Sequence, residues 1–266
     1  MSIPLGLVMV AALLSLVPSR VQGGCPATDE IRTRIAGAGL ERAARTARFS
    51  TPPPRELYDE AAGQVGELVT DRDGPKGFGV VVVELPVEVL WRAINDEDAH
   101  DTKGYLPLSR SEIVGGTPRG PARQVFQAGE KMGLGRWWIT RTTMSGELFE
   151  ESEGRLWEVT WQTDAEALEQ KHAPVDDPPD LSPIEWSRGA WLLVPLGDSC
   201  TALEHFTWSE PGGFVGLVQG LVLGRALRES VEGMVRLSRD RYRTPPDGAP
   251  FVRPDGTPLA PPPDVP

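Results

Sequence analysis

The chain has 266 residues, 39% hydrophobic and 24% charged, enough for a substantial core in one large domain or two small ones. Its formal net charge is -11, and an acidic surface repels polyanions, which argues against nucleic acid as a partner. An anionic membrane would be met only through a local basic or apolar patch, so any membrane contact is expected to be transient.

In chain order, the first feature is an uncharged run, Ile3 to Val17. It is shorter than the ~20 residues of a comfortable bilayer span and suits the apolar region of a secretory signal. The compact residues Val21-Gln22-Gly23 place a cleavage point after Gly23 or Gly24. Residues 1–24 are therefore expected to be a signal peptide and the protein to be exported, periplasmic or secreted. An uncleaved anchor or a buried helix is the other reading of the same run. The chain has two cysteines, Cys25 and Cys200, which an exported protein could pair, although two alone decide little. Lipid attachment at Cys25 is the less favoured alternative, because Gln22 stands where such a signal wants an apolar residue.

Residues 25–65 read as a helical extension. Ile31, Ile35, Leu40 and Ala44 recur at helical spacing over Asp29 to Phe49, Pro52-Pro53-Pro54 stops the helix, and a shorter one runs from Arg55 to about Val65. Then Phe78 to Leu85 is β-branched and bounded by Gly77 and Pro86, a strand. Pro86 to Asn95 switches to helical spacing, with proline in the first turn, where its missing amide is harmless. Strands follow near Glu112–Gly115, Arg123–Ala128, Arg136–Met144, Leu156–Thr163, Glu185–Val194 and Thr201–Ser209, and a long helix runs from Phe214 to about Tyr242. On Leu156–Thr163, Trp157, Val159 and Trp161 alternate with Glu158, Thr160 and Gln162, the pattern of a sheet with one dry and one wet face. The last helix is the element long and apolar enough to cover the dry face. From residue 244 to 266 the chain is rich in proline and glycine and reads as a disordered tail.

This order of elements, together with Val80–Asp96 (VVVVELPVEVLWRAIND), resembles the START-like superfamily. That group includes START domains, the birch-pollen allergen family and polyketide cyclases. The likeness spans about Val65 to Arg243, within a domain drawn at 66–243. It implies an α+β helix-grip fold: a curved antiparallel sheet of about seven strands wrapped around a long C-terminal helix. It also implies a cavity between them for a sterol, phospholipid, fatty acid or polyketide. No catalytic residue is common to the group, so none transfers.

Several residues are candidates for that cavity. Gly216, Gly220 and Gly224 form a bare stripe on the last helix, although helical glycine is destabilising by about 1 kcal/mol each. Room for a ligand and close helix packing are both open readings. Of the eight tryptophans, Trp137, Trp138, Trp157, Trp161, Trp186, Trp191 and Trp208 fall on strands and would make a cavity wall, or simply a core, with Trp137, Trp157, Trp161 and Trp208 taken as the ligand-binding candidates. Arg141, Glu204 and Arg188 sit on otherwise apolar strand faces; they would meet inside and orient a polar head, or face water if the strands curl. Tyr105 and Leu106 lie in a short apolar stretch suited to a gate over the pocket mouth or to ordinary loop packing. The acidic run Asp96 to Asp101 reads as a solvated helix end in preference to a cation site.

The three histidines, His100, His172 and His205, have no metal-ligand spacing, and no nucleophile elbow, phosphate loop or dinucleotide fingerprint occurs, so neither metal nor cofactor is expected. The function expected is an exported binding or transfer protein for a hydrophobic small molecule or lipid. The alternative is a cyclase- or aromatase-like enzyme using Arg141, Glu204 or His205 in the same cavity, and a third is an interaction module with a filled core.

Overall fold

The computed structural model describes residues 24–47, 55–73, 75–131, 134–169, 181–184, 186–210, 219–242 and 250–260. Residues 1–23 of the expected signal segment lie outside them. Among the described residues no helix is long and apolar enough to cross a membrane.

The main domain is α+β. Strands β1 (Val69–Asp73), β2 (Lys76–Val83), β3 (Arg110–Gly116), β4 (Ala122–Lys131), β5 (Leu134–Met144), β6 (Trp157–Thr163), β7 (Ser182–Pro183), β8 (Trp186–Gly197) and β9 (Cys200–Glu210) build one sheet. Its order is β1-β2-β9-β8-β6-β5-β4-β3; all these neighbours are antiparallel, and short β7 pairs in parallel with β5. The expected sheet is thus larger by β1 and β7, which are too short or too polar to announce themselves.

The concave face holds Leu203, His205 and Thr207 of β9, with Trp191 and Val159 level with His205 on the neighbouring strands. Three helices on the convex side are α1 (Thr28–Gly37), α2 (Ala43–Thr46) and α3 (Arg55–Gly63); α4 (Val87–Ile94) and α7 (Gln219–Arg241) lie on the concave side, and α5 (Gly146–Glu151) and α6 (Ala165–Glu169) are short connectors. On α7, Leu227, Val231, Met234 and Ser238 recur at three and four residues and are all buried, which is how a helix presents one stripe to a sheet. The part of the expected helix before Gln219 lies outside the described residues.

Two sequence expectations fail here. The stretch Asp29 to Phe49 is broken helix: α1 ends and α2 begins across Gly39, whose φ of 82° is open to glycine without strain. And the second face of the sheet is wet only in part, with Gln162 exposed as expected. Ile31, Ile35, Tyr58 and Ala61 pack with Val80, Val82, Leu192, Ala202 and Phe206, and Glu158, expected in water, is 0% exposed with Ser145 Oγ donating to its Oε2 at 2.6 Å. The unbroken valines Val80 to Val83 record this, since a strand buried on both faces has no need to alternate. A Cys25–Cys200 disulfide ties the start of this extension to the start of β9.

The C-terminal segment is also corrected. Residues 250–260 are folded against the domain: Leu259 N donates to Phe251 O at 2.8 Å, Trp91 Nε1 donates to Val252 O at 2.7 Å, and Phe251 and Leu259 are buried. Composition pointed to disorder, but two apolar anchors around a Pro254–Gly256 turn suffice to dock a short strap.

Candidate functional site: an aromatic cavity under the last helix

Between the concave face and α7 lies a cavity of about 340 Å³. Trp138, Trp161, Trp191, Val159, Leu227 and Met234 supply its apolar walls, and Leu106, Pro107 and Leu108 close one flank. Its polar lining comprises Glu97, His100, Gln127, Arg136, Thr140, Thr142, Ser187, His205, Thr207, Ser209 and Ser230.

Strand register builds the wall. Trp161 of β6 pairs with Gly189 of β8, and a Cβ at Gly189 would lie 2.1 Å from the Trp161 ring. Only glycine lets the indole lie flat across β8. It thereby reaches His205, whose ring stacks on Trp191 at 3.7 Å between centroids and on Trp161 at 5.5 Å. The imidazole is thus held between two indoles on the cavity floor.

Burial pushes the His205 pKa down to about 3, against a weaker upward pull from the hydrogen bond between Nδ1 and Ala190 O at 3.4 Å. The ring is neutral in the fold. In the unfolded chain it titrates near its ordinary value of about 6.5, so below that pH the unfolded state takes up a proton the native state refuses. The stability contribution is fully present above pH ~6.5 and is lost as pH falls towards 3, with a slope of about 1.4 kcal/mol per pH unit. Between pH 7 and pH 5, urea unfolding is expected to show about 2 kcal/mol more loss for the natural chain than for a His205→Phe variant. Equal losses would mean that the imidazole is not held neutral.

The charged candidates do not meet in this cavity. Parity along each strand places Arg141 with Trp137 and Ile139, and Glu204 with Ala202 and Phe206, as expected, but both sets are on the convex face. Arg141 is largely exposed and pairs with Asp164 at 3.0 Å. Glu204 is 1% exposed beneath the N-terminal helices; Arg45 Nη2 donates to its Oε1 and Oε2 at 2.7 and 2.6 Å, and the Tyr58 hydroxyl also donates to it. Burial pushes the Glu204 carboxyl above its ordinary range, and Arg45 opposes that. Arg188, also convex, lies over the Trp208 ring at 4.3 Å. Sequence could assign each charge to a face but not say which face holds the cavity.

The tryptophans divide as well. Trp161 lines the cavity, joined by Trp138 and Trp191. Trp157 packs edge-on against Trp91 and Phe149 in the concave core, whereas Trp137 stacks on Phe126 and Trp208 contacts Trp186 on the convex side. Of the glycine stripe, Gly224 is not a close approach on α7. A Cβ at Gly224 would meet the Arg72 side chain at 3.5 Å, an ordinary contact; Gly220 lies in the first turn of α7, and Gly216 lies outside the described residues. The tight point is Gly233, where a Cβ would lie 1.8 Å from Tyr105 O. There the expected gate is pinned: the Tyr105 hydroxyl donates to Asp240 Oδ2 at 2.7 Å, while Leu106 borders the cavity.

The acidic run is likewise not a solvated helix end. Asp96, Glu97 and His100 are buried, Asp96 takes Arg119 Nη2 at 3.0 Å, and Glu97 Oε1 takes Arg123 Nε at 2.7 Å. Among the described residues no group of three His, Cys, Asp or Glu side chains is placed to hold a metal.

The architecture is the START-like helix-grip fold, as solved structures show. A STAR-related lipid transfer protein fragment from Xanthomonas axonopodis is similar with a TM-score of 0.50 and 14% identity, covering 65% of this chain and 98% of that one. Human STARD10 (TM-score 0.47, 11% identity, 72% and 81% covered) and the Zhui aromatase/cyclase from Streptomyces sp. R1128 (0.41, 16%, 62% and 92%) are also similar. No protein-family model matches the sequence, and no curated protein matches it at a significant level.

Proposed function

We propose that this protein is an exported carrier that holds one apolar molecule beneath α7. The observation that carries this reading is the cavity itself, about 340 Å³ walled by three indoles and aliphatic side chains. Apolar walls with a few polar groups are what a small-molecule site needs, and the volume sits at the low end of the ~300–1,000 Å³ such sites occupy. The similar fragment from Xanthomonas axonopodis, whose name refers to lipid transfer, supports the same reading.

Export is supported by the uncharged run Ile3 to Val17 and by the Cys25–Cys200 pair, since disulfides persist in oxidising compartments. With Cys25 bonded to Cys200, its sulfur is not available for a lipid anchor. In this reading the segment 105–108 is the door through which the ligand passes, touching a membrane transiently as it does. Of the three residues that the enzyme alternative named, Arg141 and Glu204 lie across the sheet from the cavity and His205 lines it.

The test is to express the whole chain in an export-competent host, recover the folded protein, extract it with organic solvent and examine the extract by mass spectrometry. A stoichiometric apolar compound is expected. An empty extract, together with no thermal stabilisation by added apolar compounds, would overturn the carrier reading.

A further inference from the structure

The carrier reading leaves the ligand class open, and the charge and donors at one end of the cavity narrow it. Arg136, Trp138, Thr140 and Thr142 alternate along β5 and all line the cavity. Arg136 is the one lysine or arginine among the described lining residues, and it is half-buried. Its Nη1 donates to Gly135 O at 2.9 Å, and among the described residues no carboxylate is paired with it. Its partner on β4 is Gly129, where a Cβ would lie 2.7 Å from Pro107 O, so Arg136 stands beside the segment 105–108. Gln127 is its diagonal neighbour on the same face, about 7–8 Å away, a span that two long side chains bridge. Trp138 Nε1 meets the end of Gln127 at 3.0 Å. An indole N–H only donates, so the atom it meets is the amide oxygen, and Gln127 presents its NH2 group as a donor. That nitrogen reaches Ser111 Oγ only at 3.4 Å, which leaves it capacity to donate elsewhere.

We propose, resting on the carrier reading, that the ligand is an apolar carboxylic acid bound as its anion, with the head on Arg136 and Gln127 and the body among Trp161, Trp191 and Met234. A guanidinium matches a carboxylate with two parallel N–H···O bonds, and the amide supplies a further donor. A neutral ligand would cover the Arg136 charge without balancing it, and a partly desolvated charge is costly unless paired. The other charged lining residue does not oppose an anion there. Glu97 is already paired with Arg123, whose Nε donates to it at 2.7 Å. Thr142 is level with Arg123, and Arg136 is six residues along β5 from Thr142, about 20 Å at the usual strand rise. The free cation and the paired carboxylate therefore stand at opposite ends of the wall. The cavity volume further favours a single chain or compact ring system over a two-chain phospholipid.

The experiment uses the whole folded protein at neutral pH and two matched probe sets: dodecanoate, methyl dodecanoate and 1-dodecanol, and 2-naphthoate, methyl 2-naphthoate and 2-naphthol. Tryptophan fluorescence reports binding of the chain set, and equilibrium dialysis that of the ring set. The ionised acids are the least apolar members, so burial alone would rank them last. The acid of at least one set is expected to bind at least about tenfold more tightly than its ester and alcohol, the worth of a hydrogen bond between charged groups. Arg136→Gln is expected to abolish that preference while ester affinity stays. Arg136→Lys should keep part of it, since the charge survives and the planar fork does not. Ester or alcohol binding the natural chain as tightly as the acid in both sets would overturn the inference and leave the carrier reading standing, and so would an acid preference undiminished in Arg136→Gln. The comparison within the natural chain needs no variant, so it decides even where a substitution fails to fold. If no probe of either set binds, both readings fall together.

Discussion

Arg45→Met, with Glu204 left in place, is expected to lower the stability of the fold by about 3–5 kcal/mol. Both side chains are 1% exposed, and they are joined at 2.6 Å beneath the N-terminal helices. Removing the guanidinium strands a buried carboxylate, and that penalty exceeds the net worth of the pair, because forming the pair already required two desolvated charges. A second substitution should therefore recover much of the loss. Arg45→Met combined with Glu204→Gln leaves Tyr58 an acceptor and no buried charge. Urea unfolding of the natural chain and the two variants measures this directly. If Arg45→Met alone stays within about 1 kcal/mol of the natural chain, the pair does not hold the extension to the sheet.

The second large effect comes from the disulfide. Cys25 and Cys200 are separated by 175 residues, and a cross-link over so long a loop removes much freedom from the unfolded chain. The chain-entropy model gives about 5 kcal/mol for such a loop, and native disulfides usually contribute 2–5 kcal/mol. A Cys25→Ser/Cys200→Ser variant is expected to lose about 3–5 kcal/mol in denaturant unfolding. Amide exchange should rise first in α1 and α2, which the bond clamps to the convex face, and last in β8 and β9. Because Arg45 and Cys25 both fasten the same extension, their losses should not add. Coincident unfolding midpoints with and without the bond would refute the assignment of this role.

The sequence by itself determined seven of the strands, α4, the long last helix and the parity of their residues. Strand boundaries followed from β-branched runs between glycine and proline, α4 from Pro86 and its apolar spacing, and α7 from length and amphipathicity, because these signals are local and a one-residue shift turns every side chain over. So Trp161 with Val159 and Glu204 with Phe206 were assigned to shared faces correctly. What those faces meet was decided only by tertiary structure. Glu204 and Arg141 share the convex side, but one lies under Arg45 and Tyr58 and the other beside Asp164 near solvent. Nothing local to either strand encodes that difference, since the partners lie 159 and 23 residues away. The cavity's own residues were hidden for the same reason. Glu97 and His100 sit in a run that reads as a polar helix end, yet both are buried and line the cavity, with Glu97 paired to Arg123. Gly189 carries no signal beyond its lack of a side chain until Trp161 is laid across it from the neighbouring strand. Periodicity specifies which side a residue takes; only packing specifies whether that side is core, cavity or water.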